Sequence, residues 1–129
     1  MSRKLFLMCL ICALSITSAY AKCDGGTEVV GSNGSFCKSN KTMNWWSAAT
    51  WCKANGRGLA TMYDMCPSWD GNTGYKKCYV LTENIDGIVW SATASGKESA
   101  FYVSLSSYGD GEVNNGYKRE TSHAYAICK

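Results

Sequence analysis

The feature that most constrains this chain is a set of six cysteines that follows a short, cleavable N-terminal leader. The leader has a basic start, a continuous run of apolar or small residues over 5–16, and a small-x-small signature that ends at Ala21. This combination is typical of a secretory signal peptide, which we assign to residues 1–21; a buried core helix and a lipoprotein anchor are the alternatives. The run of about 12 residues is too short to span a bilayer, which takes about 20. We therefore expect a secreted or periplasmic protein with no stable membrane insertion, and a mature domain of residues 22–129.

Removal of the leader sets the charge and the cysteine count of the mature domain. Cys9, Cys12, Arg3 and Lys4 leave with it, so six cysteines, 11 basic residues and 10 acidic residues remain. Six cysteines in a short exported chain predict three disulfides rather than a metal cluster, because no two of them have Cys-x-x-Cys spacing. A net charge of +1 provides no basic field for nucleic acid. The remaining 108 residues fit one small domain.

Helical signals lie in the first half of the mature chain. The spacing of Trp45, Ala48 and Cys52 places them on one helical face, which predicts a helix over about 44–55 that ends before Gly56. By their periodic placement, most of four tryptophans are candidates for the core: Trp45, Trp46, Trp51 and Trp90.

One further helical turn is predicted before the chain changes character. Thr61 and Asp64 have the spacing of a capping box, and Pro67 stops the turn after about 61–65. From Cys78 onward β-rich runs dominate, which favours an α+β domain. The predicted segments are a hairpin or extended stretch over 24–35, a polar loop over 68–77, strands over 79–82, 88–90, 101–105 and 123–128, and turns over 109–111 and 114–116.

The helical stretch carries a family resemblance. Trp45, Ala48 and Cys52, followed by a Gly-rich turn and the pair Leu59-Ala60, resemble the first helix of the C-type lectin-like domain. The end of the chain, over 125–129, is similar to the final strand of that family, and the segments 90–93 and 101–103 are similar to its compact bacterial members.

The resemblance implies a fold and a disulfide pattern. We expect two short helices with a small antiparallel sheet, stapled by disulfides; an unrelated disulfide-rich α+β domain is the alternative. The implied pairs are Cys23–Cys37, Cys52–Cys128 and a local Cys66–Cys78 bond in place of the usual long-loop bridge.

The chain departs from the sugar-binding members of that family at their calcium site. Those members carry Glu-Pro-Asn or Gln-Pro-Asp and later Trp-Asn-Asp, because a hard cation needs several convergent oxygen ligands. Neither triplet occurs here, and the one proline, Pro67, lies between Cys66 and Ser68. We therefore expect binding without calcium or any other cofactor.

Catalytic signals are weak. His123 is the only histidine, and its neighbours Ser122 and Ala124 give no nucleophile–base signature. The acidic residues have no spacing that distinguishes a carboxylate pair from ordinary solubilising charges. We expect a binding module rather than an enzyme, with a small secreted antimicrobial or hydrolase as the alternative.

The strongest binding signal is the combination of aromatic and small polar residues in two predicted loops. Rigid rings supply contact area, and asparagines supply adaptable hydrogen bonds. We predict a binding surface over 68–77 and 108–117 for a glycan or a protein; the alternative is that these rings cover a small core. The candidate contact residues are Trp69, Asn72, Tyr75, Tyr108, Asn114, Asn115 and Tyr117.

Overall fold

A computed structural model describes residues 20–31, 34–78, 87–105 and 111–129. Six strands and two helices lie within these residues. In chain order they are β1 (Gly26–Gly31), β2 (Gly34–Thr42), α1 (Trp45–Ala54), α2 (Met62–Met65), β3 (Gly87–Ala94), β4 (Ser99–Leu105), β5 (Glu112–Tyr117) and β6 (Tyr125–Cys128). The α+β class is therefore confirmed. The leader over 1–19, the predicted strand over 79–82 and Tyr108 lie outside the described residues.

The six strands form one sheet in the order β1-β2-β6-β3-β4-β5. Neighbouring strands are antiparallel except β3 and β6, which run parallel with Val89 opposite Tyr125. The expectation of an antiparallel sheet is wrong in this respect. The reason is that β6, the last strand in sequence, is inserted between the N-terminal hairpin and β3. The C-terminus thereby joins the two halves of the sheet.

The N-terminal segment is a hairpin, which confirms one of the two predicted alternatives. β1 and β2 pair antiparallel, with Val29 opposite Phe36, and both of these side chains are buried. β2 continues to Thr42, well beyond the predicted segment, because its second half pairs with β6.

Local capping signals explain both helices. The Asn44 side chain accepts a hydrogen bond from the Ser47 amide at 2.8 Å, and the chain leaves α1 through Gly56, whose φ is 69°. At α2, Thr61 and Asp64 bond reciprocally to each other's amides at 3.0 and 2.9 Å, which confirms the capping box. Neither of these two helices in the described part of the chain is long and apolar enough to cross a membrane.

The sheet separates two buried clusters, because successive strand residues point to opposite faces. On one face, Trp90 and Ala100 pack with Ala48 and Cys52 of α1. On the other face, α2 and the segment that follows it contribute to the second cluster. Its main members are Val89, Val103, Val113, Met62, Met65 and Trp69.

Two of the three predicted disulfides are present. Cys23 is bonded to Cys37, and Cys52 is bonded to Cys128, with Cα–Cα distances of 5.7 and 5.5 Å. Cys66 and Cys78 are instead two buried, unbonded cysteines, so the third bond is not present. Their thiols contact each other through a hydrogen bond rather than a covalent bond.

The predicted turn over 114–116 is wrong. Asn114, Asn115 and Gly116 lie within β5, opposite Tyr102, Phe101 and Ala100 of β4. Gly116 has a packing role there, since a Cβ at this position would lie 3.2 Å from the Tyr102 ring. The strands predicted over 88–90 and 101–105 are confirmed as parts of β3 and β4. The last strand begins at Tyr125 rather than at 123.

Candidate functional site

The two segments predicted to form a binding surface lie side by side. The Gly74 amide donates to the Val113 carbonyl at 2.7 Å, and the Val113 amide donates to the Tyr75 carbonyl at 2.8 Å. Next along, the Cys78 amide donates to the Gly111 carbonyl at 3.1 Å. The chain after α2 therefore runs along the outer edge of β5 and is held to it by backbone hydrogen bonds.

Trp69 is in the core, which is the second of the two alternatives for these aromatic residues. Its side chain is 7% exposed, and its ring centroid lies 4.7 Å from that of Phe101 in an edge-on arrangement. Its indole N–H donates to the Asn72 carbonyl at 2.9 Å, so its polar atom is satisfied within the loop. Trp69 therefore supports the surface from below and is not itself an exposed contact.

The exposed part of this region is built from other rings. Tyr117 is 59% exposed and Tyr63 is 55% exposed, and the Tyr63 ring lies 5.4 Å from Trp69. Phe101 and Asn115 are cross-strand neighbours on the same face as Tyr117. We call this set the aromatic surface: Tyr63, Tyr75, Phe101, Asn115 and Tyr117.

Sequence reasoning missed Tyr63, although a signal was present. Met62 and Met65 are both buried in α2, so the residue directly after Met62 in this short helix points away from the core. The spacing of the two methionines in this one turn therefore predicts that Tyr63 is exposed.

Polar groups surround the aromatic surface. The Tyr75 hydroxyl shares a hydrogen bond with Ser68 Oγ at 2.8 Å, and the Arg119 guanidinium lies 5.2 Å from the Tyr117 ring centroid. Asn72 is exposed, with its backbone amide bonded to Asp70 Oδ1 at 3.0 Å. Asn114 is different, because it is half-buried on the opposite face of the sheet beside Tyr102. The structure therefore separates Asn114 from Asn115.

A second feature lies on α1. A groove of about 560 Å³ runs between this helix and residues 41–43, and Trp46 and Trp51 form part of its wall. Trp46 is 46% exposed and Trp51 is half-buried, so the prediction of a core position is wrong for Trp46. Of the four tryptophans with that prediction, Trp90 is fully buried and Trp45 is half-buried.

Two groups with catalytic potential in the described residues are the His123 imidazole and the Cys78 thiol. His123 packs against Tyr102 with ring centroids 4.6 Å apart, and its buried Nε2 has no hydrogen-bond partner. Burial, and then the hydrogen bond that the Cys78 thiol donates to Cys66, raise the pKa of Cys78 well above its usual range, which disfavours a reactive thiolate. No group of three His, Cys, Asp or Glu side chains suited to a metal ion occurs in the described segments.

No protein-family model matches this chain, and no curated protein is significantly similar to it.

Proposed function

We propose that this protein is an exported recognition module of the C-type lectin-like type that binds a glycan or a protein without calcium, through the aromatic surface. The observation that carries the proposal is the junction of two segments on one side of the sheet. Gly74 and Tyr75 of one segment are bonded to Val113 of the other, so Tyr75, Asn115 and Tyr117 share one surface.

The contact residues of this surface are held in a way that suits recognition of a partner. Contact residues on strands and on bonded loops are held in place, so little conformational freedom is lost when a partner binds. Trp69 packs against Tyr63 and Phe101 from the core side, and the exposed Tyr63 and Tyr117 combine apolar area with a hydroxyl group. Large exposed rings grouped on one face are the usual sign of a binding surface.

The disulfide between α1 and the last strand supports the proposed C-type lectin-like type. Cys52 in α1 is bonded to Cys128 in β6, which is the bond that the resemblance implies. Leu59, from the pair after the helix, forms an isolated bridge with Cys128. The mixed sheet and the central position of β6 bring these elements together.

The proposal is tested by ligand capture on a glycan array and on a panel of cell-surface proteins, using the mature protein. Tyr117→Ala and Tyr63→Ala should each weaken capture of the ligand by tenfold or more, about 1.4 kcal/mol, because exposed aromatic anchors dominate such interfaces. Thr27→Ala changes an exposed residue of β1 outside the aromatic surface; it is the control and should bind like the wild type.

Calcium provides a second measurement in the same experiment. Capture should be unchanged by millimolar calcium or by a chelator. The melting temperature should also be unchanged, because calcium would raise it only by binding to the native state. Capture that survives both tyrosine substitutions, or that requires calcium, contradicts the proposal. Turnover of a cell-wall substrate would instead favour the secreted hydrolase.

A further inference from the structure

The groove on α1 is a separate site from the aromatic surface. It lies on the outer side of the helix that covers the opposite face of the sheet, next to the end of β2. Its volume of about 560 Å³ is within the range of small-molecule sites, and it is wide open to solvent. None of the aromatic-surface residues lines this groove, so ligand binding in the groove is independent of the proposed function.

Trp46 is presented by a rigid support. The chain just before α1 is fixed at Met43, whose amide donates to the Ala124 carbonyl at 3.0 Å and whose carbonyl accepts from Trp90 Nε1 at 2.8 Å. The Trp46 ring also packs edge-on against Trp45, with centroids 6.1 Å apart. A large ring that is 46% exposed on such a support is already in position to stack on a ligand.

Trp51 packs against the N-terminal hairpin. Its ring lies over Gly26 of β1, where a Cβ would be only 2.8 Å from Trp51 Cη2. A glycine at this position leaves room for the Trp51 ring beside β1, and Trp51 also lines the groove. The two tryptophans therefore give the groove two apolar surfaces with fixed positions.

The polar side chains that line the groove are one ammonium, which donates hydrogen bonds, and three hydroxyls, which donate and accept them. They belong to Lys41, Thr42, Ser47 and Thr50, and no carboxylate lines the groove. In the described residues the ion pairs are Lys22–Asp24 and Arg57–Glu28, so the charge of Lys41 is not neutralised by a neighbouring acid. A matching ligand has an apolar face and carries hydrogen-bond acceptors and a negative charge.

We propose that this groove binds a carboxylated sugar, with the C–H face of the pyranose on Trp46 and its carboxylate beside Lys41. A pyranose ring has an apolar face and a polar rim, which suits an open groove where one side of the ligand stays in water. An acyl chain suits this groove less well, because most of its apolar length would remain exposed to solvent. The ammonium–carboxylate pair provides selectivity against neutral sugars.

The experiment uses titration calorimetry of the mature protein at low salt with three probes: sialyllactose, a hyaluronan oligosaccharide and lactose. The two acidic probes distinguish a sialic acid from a uronic acid as the source of the carboxylate. At least one of them should bind tenfold or more tightly than lactose. Lys41→Gln should remove this preference, while Trp46→Ala should weaken binding of the acidic probe at least tenfold.

Two controls keep the result interpretable. Trp46→Phe retains a stacking ring and should recover part of the affinity, while circular dichroism confirms that Trp46→Ala is folded. Lys97→Gln changes an exposed lysine that does not line the groove and should bind the acidic probe like the wild type. Tyr117→Ala reports whether the acidic probe binds at the aromatic surface instead. The proposal is overturned if lactose binds as well as the acidic probes, if neither acidic probe binds, or if binding depends on Tyr117 rather than on Trp46.

Discussion

The side-chain oxygen of Asn55 accepts a hydrogen bond from the backbone amide of Asp24 at 2.7 Å, across 31 residues of sequence. The Asn55 carbonyl also accepts from the Lys22 amide at 2.9 Å, and its side-chain nitrogen donates to the Trp51 carbonyl at 3.1 Å. Asn55 is 2% exposed. This one residue therefore ties the start of the predicted mature chain to the end of α1.

Replacing Asn55 with alanine should destabilise the domain by about 1–3 kcal/mol, because the Asp24 amide loses its acceptor in a partly buried position. Urea denaturation of the mature protein measures the change. The matched control is Asn40→Ala, since the Asn40 side chain is exposed and should contribute less than about 0.5 kcal/mol. Equal effects of the two substitutions would show that Asn55 does not anchor the N-terminal segment.

The two disulfides should differ in their contribution to stability. Cys52 and Cys128 are 76 residues apart, whereas Cys23 and Cys37 are 14 apart. The chain-entropy model assigns about 4.5 kcal/mol to the longer loop and about 3 kcal/mol to the shorter one. We expect the double substitution of Cys52 and Cys128 by alanine to lower the free energy of unfolding more than that of Cys23 and Cys37. The reverse order would mean that loop closure does not determine these contributions.

The thiols of Cys66 and Cys78 should combine into a third disulfide when the folded domain is in an oxidising environment. They are buried beside each other, and the other four cysteines of the mature chain are already paired. Oxidation removes one hydrogen from each thiol and needs an oxidant such as the cell's disulfide-transfer system. Peptide mapping under non-reducing conditions, after oxidation of the folded protein with a glutathione redox buffer, should find Cys66 linked to Cys78. A map with both residues as free thiols would contradict this prediction.

Trp69 and Tyr117 should respond differently to truncation. Trp69→Ala removes a ring that is 7% exposed and packs on Phe101, so we expect a loss of about 3–5 kcal/mol. Tyr117→Ala removes a ring that is 59% exposed, so we expect a change within about 0.5 kcal/mol. Thermal denaturation of the two variants checks this contrast. A Trp69→Ala protein as stable as the wild type would contradict the core position of Trp69 and make it a candidate contact residue again.

Local signals were sufficient to predict α1, α2 and most of β3 and β4. The spacing of Trp45, Ala48 and Cys52 and the capping box at Thr61 involve residues a few positions apart, so the sequence alone reveals them. The parallel pairing of β6 with β3 depends on residues far apart in the chain, such as Val89 and Tyr125, and no local pattern encodes it.

The errors at the candidate site have the same origin. Asn114-Asn115-Gly116 has the composition of a turn, but pairing with β4 outweighs that preference and makes it a strand. Trp69 lies in a polar loop, yet the loop folds back along β5 and places the ring in the core. Trp46 follows Trp45 directly, so on one helix only one of the two rings can face the sheet.

Alkaline pH should reveal the environment of Tyr102. Burial, and then the negative charge of Glu112, raise the pKa of this phenol above its ordinary value of 10.0. The folded protein therefore retains the proton at pH values where the unfolded chain has lost it. The stabilisation that Tyr102 provides is fully present below about pH 10 and is lost as the pH rises through the folded-state pKa.

Tyr102→Phe isolates this contribution from other groups that titrate at high pH. Burial lowers the pKa of Lys38, so the contribution of Lys38 to the free energy of unfolding rises with pH. An unbonded Cys78 thiol has a raised pKa, so its contribution falls with pH, as that of Tyr102 does. Both remain in the variant. The free energy of unfolding, measured in urea from about pH 8 to about pH 11, should fall more steeply above pH 10 for the wild type than for Tyr102→Phe. A constant difference between the two proteins across this range would show that Tyr102 ionises equally easily in the folded and unfolded states.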